Sequence, residues 1–343
     1  MLNVPDVGFS HIRIENSFID SCDEVHMATV GEIGERNLVE RIKSIIRPRS
    51  KQTLVGPGDD AAVIKGISDG TIVISTDVLT KERHFPPTMT FEQFGWSAAA
   101  VSFSDIASMG ATPLGFLPAV TIPEDEDECS LYDLMSGIDQ CCEFCKTEVV
   151  GGDTKFGPLA VSGTAFGTME GRKPMTRKGA LPGDIVAVTG SLGDPAAGYY
   201  AIQNGIEDED CIPSLMVPVP HVEDGIKLSK SGIIHSCMDL SDGLSNAAIS
   251  ICEASHVGME IEWEFLPISE SARDILTECR CDLKDTVTRW GGEYELLFTF
   301  DAAQIQKLYD AEIPFSIIGV VNNEPGPSLC DGAERTVMKD GIY

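Results

Sequence analysis

Six short segments set an aspartate among glycines, serines or threonines beside an apolar run: Gly58-Asp59-Asp60, Ser75-Thr76-Asp77, Ser104-Asp105, Gly151-Gly152-Asp153, Gly183-Asp184 and Asp239-Leu240-Ser241-Asp242-Gly243. Runs such as Thr71-Ile-Val-Ile-Ser75 and Glu148-Val-Val150 have the composition of buried strands. Small residues at their ends let the backbone approach a ligand closely, so the carboxylates are expected to point into one cleft. Two carboxylates about 4 Å apart repel by roughly 4 kcal/mol at an effective dielectric near 20, so such a cluster must take up protons or bind cations. Oxygen-only ligands suit a hard cation, and Mg2+ usually takes one or two carboxylates per ion plus waters and substrate phosphates. Taken one at a time, each segment is an ordinary turn; taken together they point to magnesium and a polyphosphate.

The chain has 343 residues, enough for two domains of about 150 residues each. With 25 basic against 54 acidic residues its formal charge is −29, which repels a nucleic-acid backbone and excludes nucleic acid as the expected partner. Most of that acidity is expected to be a solvated surface. Eleven irregularly spaced cysteines, with no signal peptide and no apolar run long enough to span a membrane, imply a reduced cytoplasmic protein with no membrane partner. Cys142 and Cys145 form a C-x-x-C pair preceded by Cys141, but the surrounding pattern is helical and no second C-x-x-C completes a site, though Cys279 and Cys281 are candidates; buried or free thiols are expected.

Residues 1–26 lack periodicity and are expected to be an extension; residues 30–42 have the spacing of an amphipathic helix. From Leu54 to Phe166, strand-like runs alternate with helical stretches at 91–109 and 129–146, as in an α+β or α/β domain. A break follows at 167–178. A second series then runs from Asp184-Ile-Val-Ala-Val-Thr189 through a helix at 246–255 and Met259-Glu-Ile-Glu-Trp263 to Leu296-Leu-Phe-Thr-Phe300. The division expected is 27–167 and 168–343. The acidic runs 124–128 and 207–210 are expected to be exposed loops.

No G-x-x-x-x-G-K-[ST] occurs, so a P-loop is excluded, and the protein-kinase signatures are missing. His84, His235 and His256 could serve a hydrolase on paper, but no nucleophile elbow accompanies them, and His235 and His256 are expected to be structural or surface residues. Trp96, Trp263 and Trp290 are chiefly packing residues.

The ordered series Gly56-Pro-Gly-Asp-Asp60, Ser75-Thr-Asp77, His84, Ser104-Asp105, Gly151-Gly-Asp-Thr154, Arg177-Lys-Gly-Ala-Leu-Pro-Gly-Asp184, Thr189-Gly-Ser-Leu-Gly193, Asp239-Leu-Ser-Asp-Gly243 and Gly291-Gly-Glu-Tyr-Glu-Leu296 closely resembles the thiamine-monophosphate kinase family of the aminoimidazole ribonucleotide synthetase superfamily. The resemblance implies a two-domain α+β fold. Its amino-terminal domain, with a mixed sheet, would bind ATP and magnesium and pair into a homodimer; its carboxy-terminal domain would be an α/β sandwich on the substrate side. It also implies ATP-dependent phosphorylation of thiamine monophosphate, with several Mg2+ ions. By position it assigns Asp59, Ser75, Thr76, Asp77, Asp105, Asp153, Asp239 and Asp242 to the metals, with Asp77, Asp105, Asp153 and Asp242 catalytic. Gly152, Asp153, Arg177 and Ser241 fall to ATP; His84, Glu293 and Tyr343 fall to the substrate.

Four departures accompany the match. Thr80-Lys-Glu-Arg-His84 replaces the bacterial Val-Glu-Gly-x-His, and Ser102 replaces the usual asparagine. Gly291-Gly-Glu-Tyr-Glu-Leu is one residue short, as in archaeal forms, and the carboxy terminus shrinks to Gly341-Ile-Tyr343. The absent Asp-Gly-Val-Gly-Thr-Lys signature argues against purine synthesis, and the absent carboxy-terminal cysteine against hydrogenase maturation. Retention of the aspartates argues against a silent ATP-binding protein.

Overall fold

A helix that is apolar around its whole circumference has to be buried, and the stretch Phe91–Ser108 meets that condition, with nearly every residue from Phe94 onward shielded from solvent. The computed structural model, which describes residues 53–55, 59–65 and 70–341, places this helix against a sheet from each half of the chain. In chain order the first half comprises β1 (Thr53–Val55), β2 (Ala62–Lys65), β3 (Thr71–Thr80), α1 (Lys81–His84), α2 (Phe91–Ser108), β4 (Thr112–Ile122), α3 (Glu128–Phe144), β5 (Asp153–Phe156) and β6 (Ala160–Thr168). The second half comprises β7 (Ile185–Val188), α4 (Asp194–Asn204), α5 (Cys211–Met216), α6 (Val222–Ser231), β8 (Ile234–Asp239), α7 (Gly243–Ser255), β9 (Gly258–Glu262), α8 (Glu270–Glu278), α9 (Leu283–Arg289), β10 (Leu296–Phe300), α10 (Ile305–Asp310), β11 (Ser316–Asn322), β12 (Gly326–Asp331) and β13 (Glu334–Val337).

The first sheet is mixed, in the order β1-β2-β3-β6-β4-β5, with β4 and β5 parallel. The second runs β13-β12-β9-β11-β7-β10-β8, with β12 parallel to β9. In β10 the continuous run Leu-Leu-Phe-Thr-Phe is fully buried because both faces are covered. Leu296, Phe298 and Phe300 face the core shared with α2, while Leu297 faces a second core with α4, α7 and α8. Both sheets belong to one compact unit.

Close packing of α2 on α3 depends on two glycines. A Cβ on Gly95 would stand 1.9 Å from the Leu134 carbonyl oxygen, and one on Gly137 would stand 1.8 Å from that of Glu92. Any side chain at either position would force the helices apart.

Several expected elements shift. The Thr71 strand continues to Thr80, because Ser75, Thr76 and Asp77 keep pairing with β6 despite their polarity. Glu148-Val-Val150 is reduced to a bridge between Val149 and Phe116, because the chain turns into β5, which takes the edge of β4 from Ala119 onward. The run at 124–128 also carries a helix cap: the Asp127 carboxylate accepts the Cys129 N–H at 2.9 Å. Asp208, in the run 207–210, likewise accepts the N–H groups of Asp210 and Cys211. The extension at 1–26, the helix at 30–42 and Tyr343 lie outside the described residues.

Candidate active site

The central helix α2 brings the carboxylates together because it touches both sheets within two residues. On one side the Ser75 hydroxyl of β3 donates to Asp105 of α2. On the other, the Ser104 hydroxyl donates to Asp239 Oδ2, at the end of β8, at 2.6 Å. Side chains alternate along β3, so Ser75 and Asp77 face α2 while Thr76 points to the opposite face, where its hydroxyl donates to the Gly163 carbonyl at 2.8 Å.

Carboxylate oxygens of Asp60, Asp105 and Asp239 converge within 4.8 Å of one another. Asp105 and Asp239 were expected there; Asp60 was not, although its pairing with Asp59 in the sequence was a visible signal. Asp60 is 8% exposed, and its Oδ2 has no hydrogen-bond partner. Its Oδ1 accepts from Arg177 Nε at 2.5 Å and forms an ion pair with Nη2 of the same guanidinium. Burial works against the Arg177 charge, and the neighbouring Asp60 outweighs it and holds the guanidinium firmly protonated.

The other aspartates surround this triad unevenly. Asp59 accepts the Asp60 N–H at 3.0 Å, and burial with repulsion from Asp60 pushes its pKa up to about 6. Burial, then repulsion from Asp60, raises Asp239 to about 8, while the Ser104 hydrogen bond opposes the shift. Asp105 is pushed well up by burial and by Asp239, Asp77 and Asp60. Asp77 rises through burial and through Asp242, and its buried Oδ2 has no hydrogen-bond partner. Asp242 is exposed in the turn that opens α7. This much unneutralised carboxylate, with acceptor oxygens left over, fits a site for a hard cation.

Three assigned positions stand apart. Asp153 is exposed on β5 and bonded to Lys155 at 2.5 Å. Two strands, β6 and β4, separate it from the strand of Asp77, a span of roughly 14 Å at 4.8 Å per strand. Gly152 precedes it at the same edge. His84 lies at the end of α1, where its Nδ1 accepts the Thr80 N–H at 3.1 Å.

The loop between α9 and β10 closes the site from the second half. Gly291 packs so tightly that a Cβ there would stand 2.1 Å from the Ser241 carbonyl oxygen and 2.9 Å from the Asp242 Cα. Glu293 is buried, with one carboxylate oxygen accepting the Gly193 N–H at 3.3 Å and Oε2 unpartnered; burial pushes its pKa up to about 8. Tyr294, which sequence reasoning passed over, is held at φ 54° and is half-buried against the core. Burial and the charges of Asp239, Asp77, Asp242 and Asp105 raise its pKa far above the phenolic range. A left-handed backbone at a bulky residue is a costly conformation that the surrounding packing must impose.

Family models match both halves: AIR synthase related protein, N-terminal domain, over residues 58–169, and AIR synthase related protein, C-terminal domain, over residues 182–330. Fold and carboxylate site together thus define an AIR synthase related protein. The thiamine-monophosphate kinase of Buchnera aphidicola from Schizaphis graminum is 30% identical over 324 residues, covering 90% of this chain and 97% of the relative. That of Pyrococcus abyssi is 34% identical over 271 residues, covering 78% and 84%. The solved structure described as AaThiL complexed with AMPPCP and TMP aligns with a TM-score of 0.81 at 28% identity, covering 92% of this chain and 98% of that one. The chain belongs to the thiamine-monophosphate kinase family.

Proposed function

We propose that this protein transfers the terminal phosphoryl group of ATP to the phosphate of thiamine monophosphate, releasing ADP and thiamine diphosphate. The observation that carries the reading is the convergence of Asp60, Asp105 and Asp239 beside Arg177, within a chain of this family. The nucleophile is already an anionic phosphate oxygen, so no strong general base is required and charge is the obstacle. The triad, with Asp59, Asp77 and Asp242 around it, would hold Mg2+. A divalent cation held by these residues would supply the positive charge that offsets the phosphate oxygens.

Two Arg177 nitrogens already engage Asp60, which fixes the fork while leaving other N–H groups for an ATP phosphate. Ser241, at the start of α7, offers its hydroxyl beside a helix N-terminus that favours anions. The resemblance assigns Glu293 and His84 to the acceptor; Glu293 lies on the loop that closes the site, whereas His84, at the end of α1, stands apart from the triad. We assign 27–167 to ATP, metal and dimer contacts, 168–343 to the acceptor side and 1–26 to an extension.

Along the face of the first sheet opposite α2, Val78, Leu114 and Leu117 are exposed, and Phe156 adds an exposed ring on edge strand β5. This open apolar surface supports a homodimer. In such a pair Gly152 and Asp153, remote from the triad within one chain, would act near the partner's site. The ten described thiols are free, which fits a reducing compartment, and we place the enzyme in the cytoplasm. No helix among the described residues is long and apolar enough to cross a membrane.

The test is to incubate protein with ATP, Mg2+ and thiamine monophosphate and to detect thiamine diphosphate by mass. Magnesium-dependent product supports donor, acceptor and reaction together. ATP binding without that product would redirect the acceptor to another small phosphorylated metabolite.

A further inference from the structure

Three aromatic side chains meet beside the loop that carries Glu293. Tyr199 and Trp290 lie with ring centroids 5.1 Å apart and planes inclined by 39°. Tyr200 packs against both, at 5.6 Å from Tyr199 and 5.7 Å from Trp290. Rings that serve packing alone are expected to be buried, and two of the three are half-buried. Tyr199, however, is 36% exposed although it sits in the middle of helix α4.

The chain order places this cluster at the active site. Trp290 directly precedes Gly291, which packs on Ser241 and Asp242, and its own carbonyl oxygen lies where a Cβ on Gly243 would stand, 2.1 Å away. Glu293 follows three residues after Trp290, with its buried and unpartnered Oε2. Helix α4, which carries Tyr199, begins at the Gly193 N–H that Glu293 accepts. The loop that carries Trp290 and Glu293 thus contacts both the Asp242 turn, through Gly291, and the start of the helix that carries Tyr199, through Gly193.

We propose that Tyr199 and Trp290 form the platform on which the cationic heteroaromatic part of the acceptor stacks, beside the loop that carries Glu293, with the acceptor phosphate directed towards the metal site that Asp242 borders. The inference rests on the acceptor proposed above, whose thiazolium ring carries a permanent positive charge. Aromatic faces attract such cations through their quadrupole, and tyrosine and tryptophan supply this at low conformational cost. Tyr200, whose hydroxyl engages Cys281, backs the platform and fixes its tilt.

Steady-state kinetics and tryptophan fluorescence on the full chain test it. Tyr199→Ala removes a surface ring and is expected to raise the KM for thiamine monophosphate about tenfold, with the KM for ATP and kcat within about twofold of wild type. Trp290→Phe keeps a stacking face and should change the same KM only a few-fold, whereas Trp290→Leu should match Tyr199→Ala. Thiamine monophosphate should quench wild-type fluorescence saturably, and Trp290→Phe should abolish that quench. Normal acceptor KM in both Tyr199→Ala and Trp290→Leu, in an enzyme that makes thiamine diphosphate, overturns the platform and leaves the proposed reaction standing. Should no thiamine diphosphate form, the fluorescence arm decides: a quench by thiamine monophosphate that Tyr199→Ala weakens supports the platform, and no quench removes it.

Discussion

Ser104 and Asp239 join the two halves of the molecule through one hydrogen bond of 2.6 Å, from the helix buried against the first sheet to the last residue of β8. The donor holds the carboxylate in place and favours its charged form against burial and the field of Asp60. Ser104→Ala is expected to raise the Asp239 pKa further and shift the Mg2+ dependence of activity to higher concentrations. Loss of a buried hydrogen bond to a charged group also costs about 1–3 kcal/mol of stability. A magnesium titration of ADP release together with thermal unfolding checks both effects; an unchanged magnesium requirement would separate Ser104 from the site.

Asp105→Asn and Asp77→Asn separate function from folding. Each keeps the shape of the side chain and removes a negative charge from a cluster whose members repel one another. Turnover should fall by at least about a thousandfold, because positioning and charge neutralisation carry most of phosphoryl transfer. The melting temperature without Mg2+ should hold or rise as repulsion is relieved. Normal ADP release by either variant contradicts a carboxylate cage.

Much of the site was legible because its residues lie on segments with strong local signals. Asp105 sits on a stretch whose apolar circumference marks a buried helix, and Asp239 ends a strand-like run. The strand Leu296–Phe300 was expected with its observed bounds, since five consecutive buried residues admit little else. Partners across the fold were not legible. Asp60 entered the triad because Arg177, 117 residues away, holds it. Tyr294 is surrounded by aspartates from three separate segments, and Thr76 faces outward through the alternation of a strand longer than its apolar part. Asp153 shows the reverse: its Gly-Gly-Asp signal is as clear as the others, yet sheet order sets it at the far edge.

Proton uptake by the cluster gives a stability profile with a defined sign. Asp59 and Asp239 are raised from an ordinary 3.8 to about 6 and about 8. The folded chain therefore binds protons that the unfolded chain has released, and the resulting stabilisation is complete below about pH 4. It is lost as pH climbs through 6 for Asp59 and through 8 for Asp239. With a chelator present, unfolding by denaturant should show lower stability at pH 8 than at pH 5 from these groups. Added Mg2+ should reverse the trend, since a ligand at 100 times its Kd stabilises by about 2.7 kcal/mol. Equal magnesium effects at both pH values would count against carboxylate ligation.

His221, which the sequence did not single out, forms a second titrating device of the same sign, built on a cation instead of neutral carboxyls. It lies just before α6, with Nδ1 3.0 Å from Asp224 Oδ2 and Nε2 3.0 Å from Glu295 Oε2. Glu295 in turn accepts from Thr189 at 2.5 Å and leads into β10, so the imidazolium ties α6 to the strand that follows the site loop. Burial opposes the charge, but the hydrogen bonds to Asp224 and Glu295 outweigh it and push the pKa up to about 9 from 6.5. Its stabilisation is thus present in full below about pH 6.5 and lost as pH rises through 9. His221→Ala leaves the Glu295 carboxylate buried without its cation and is expected to cost about 3–5 kcal/mol at pH 7. His221→Gln can keep hydrogen bonds but carries no charge, so it should lose less stability while flattening the decline between pH 7 and 9. Denaturant unfolding across that range tests this, and an unaltered decline in His221→Gln would assign it to another group.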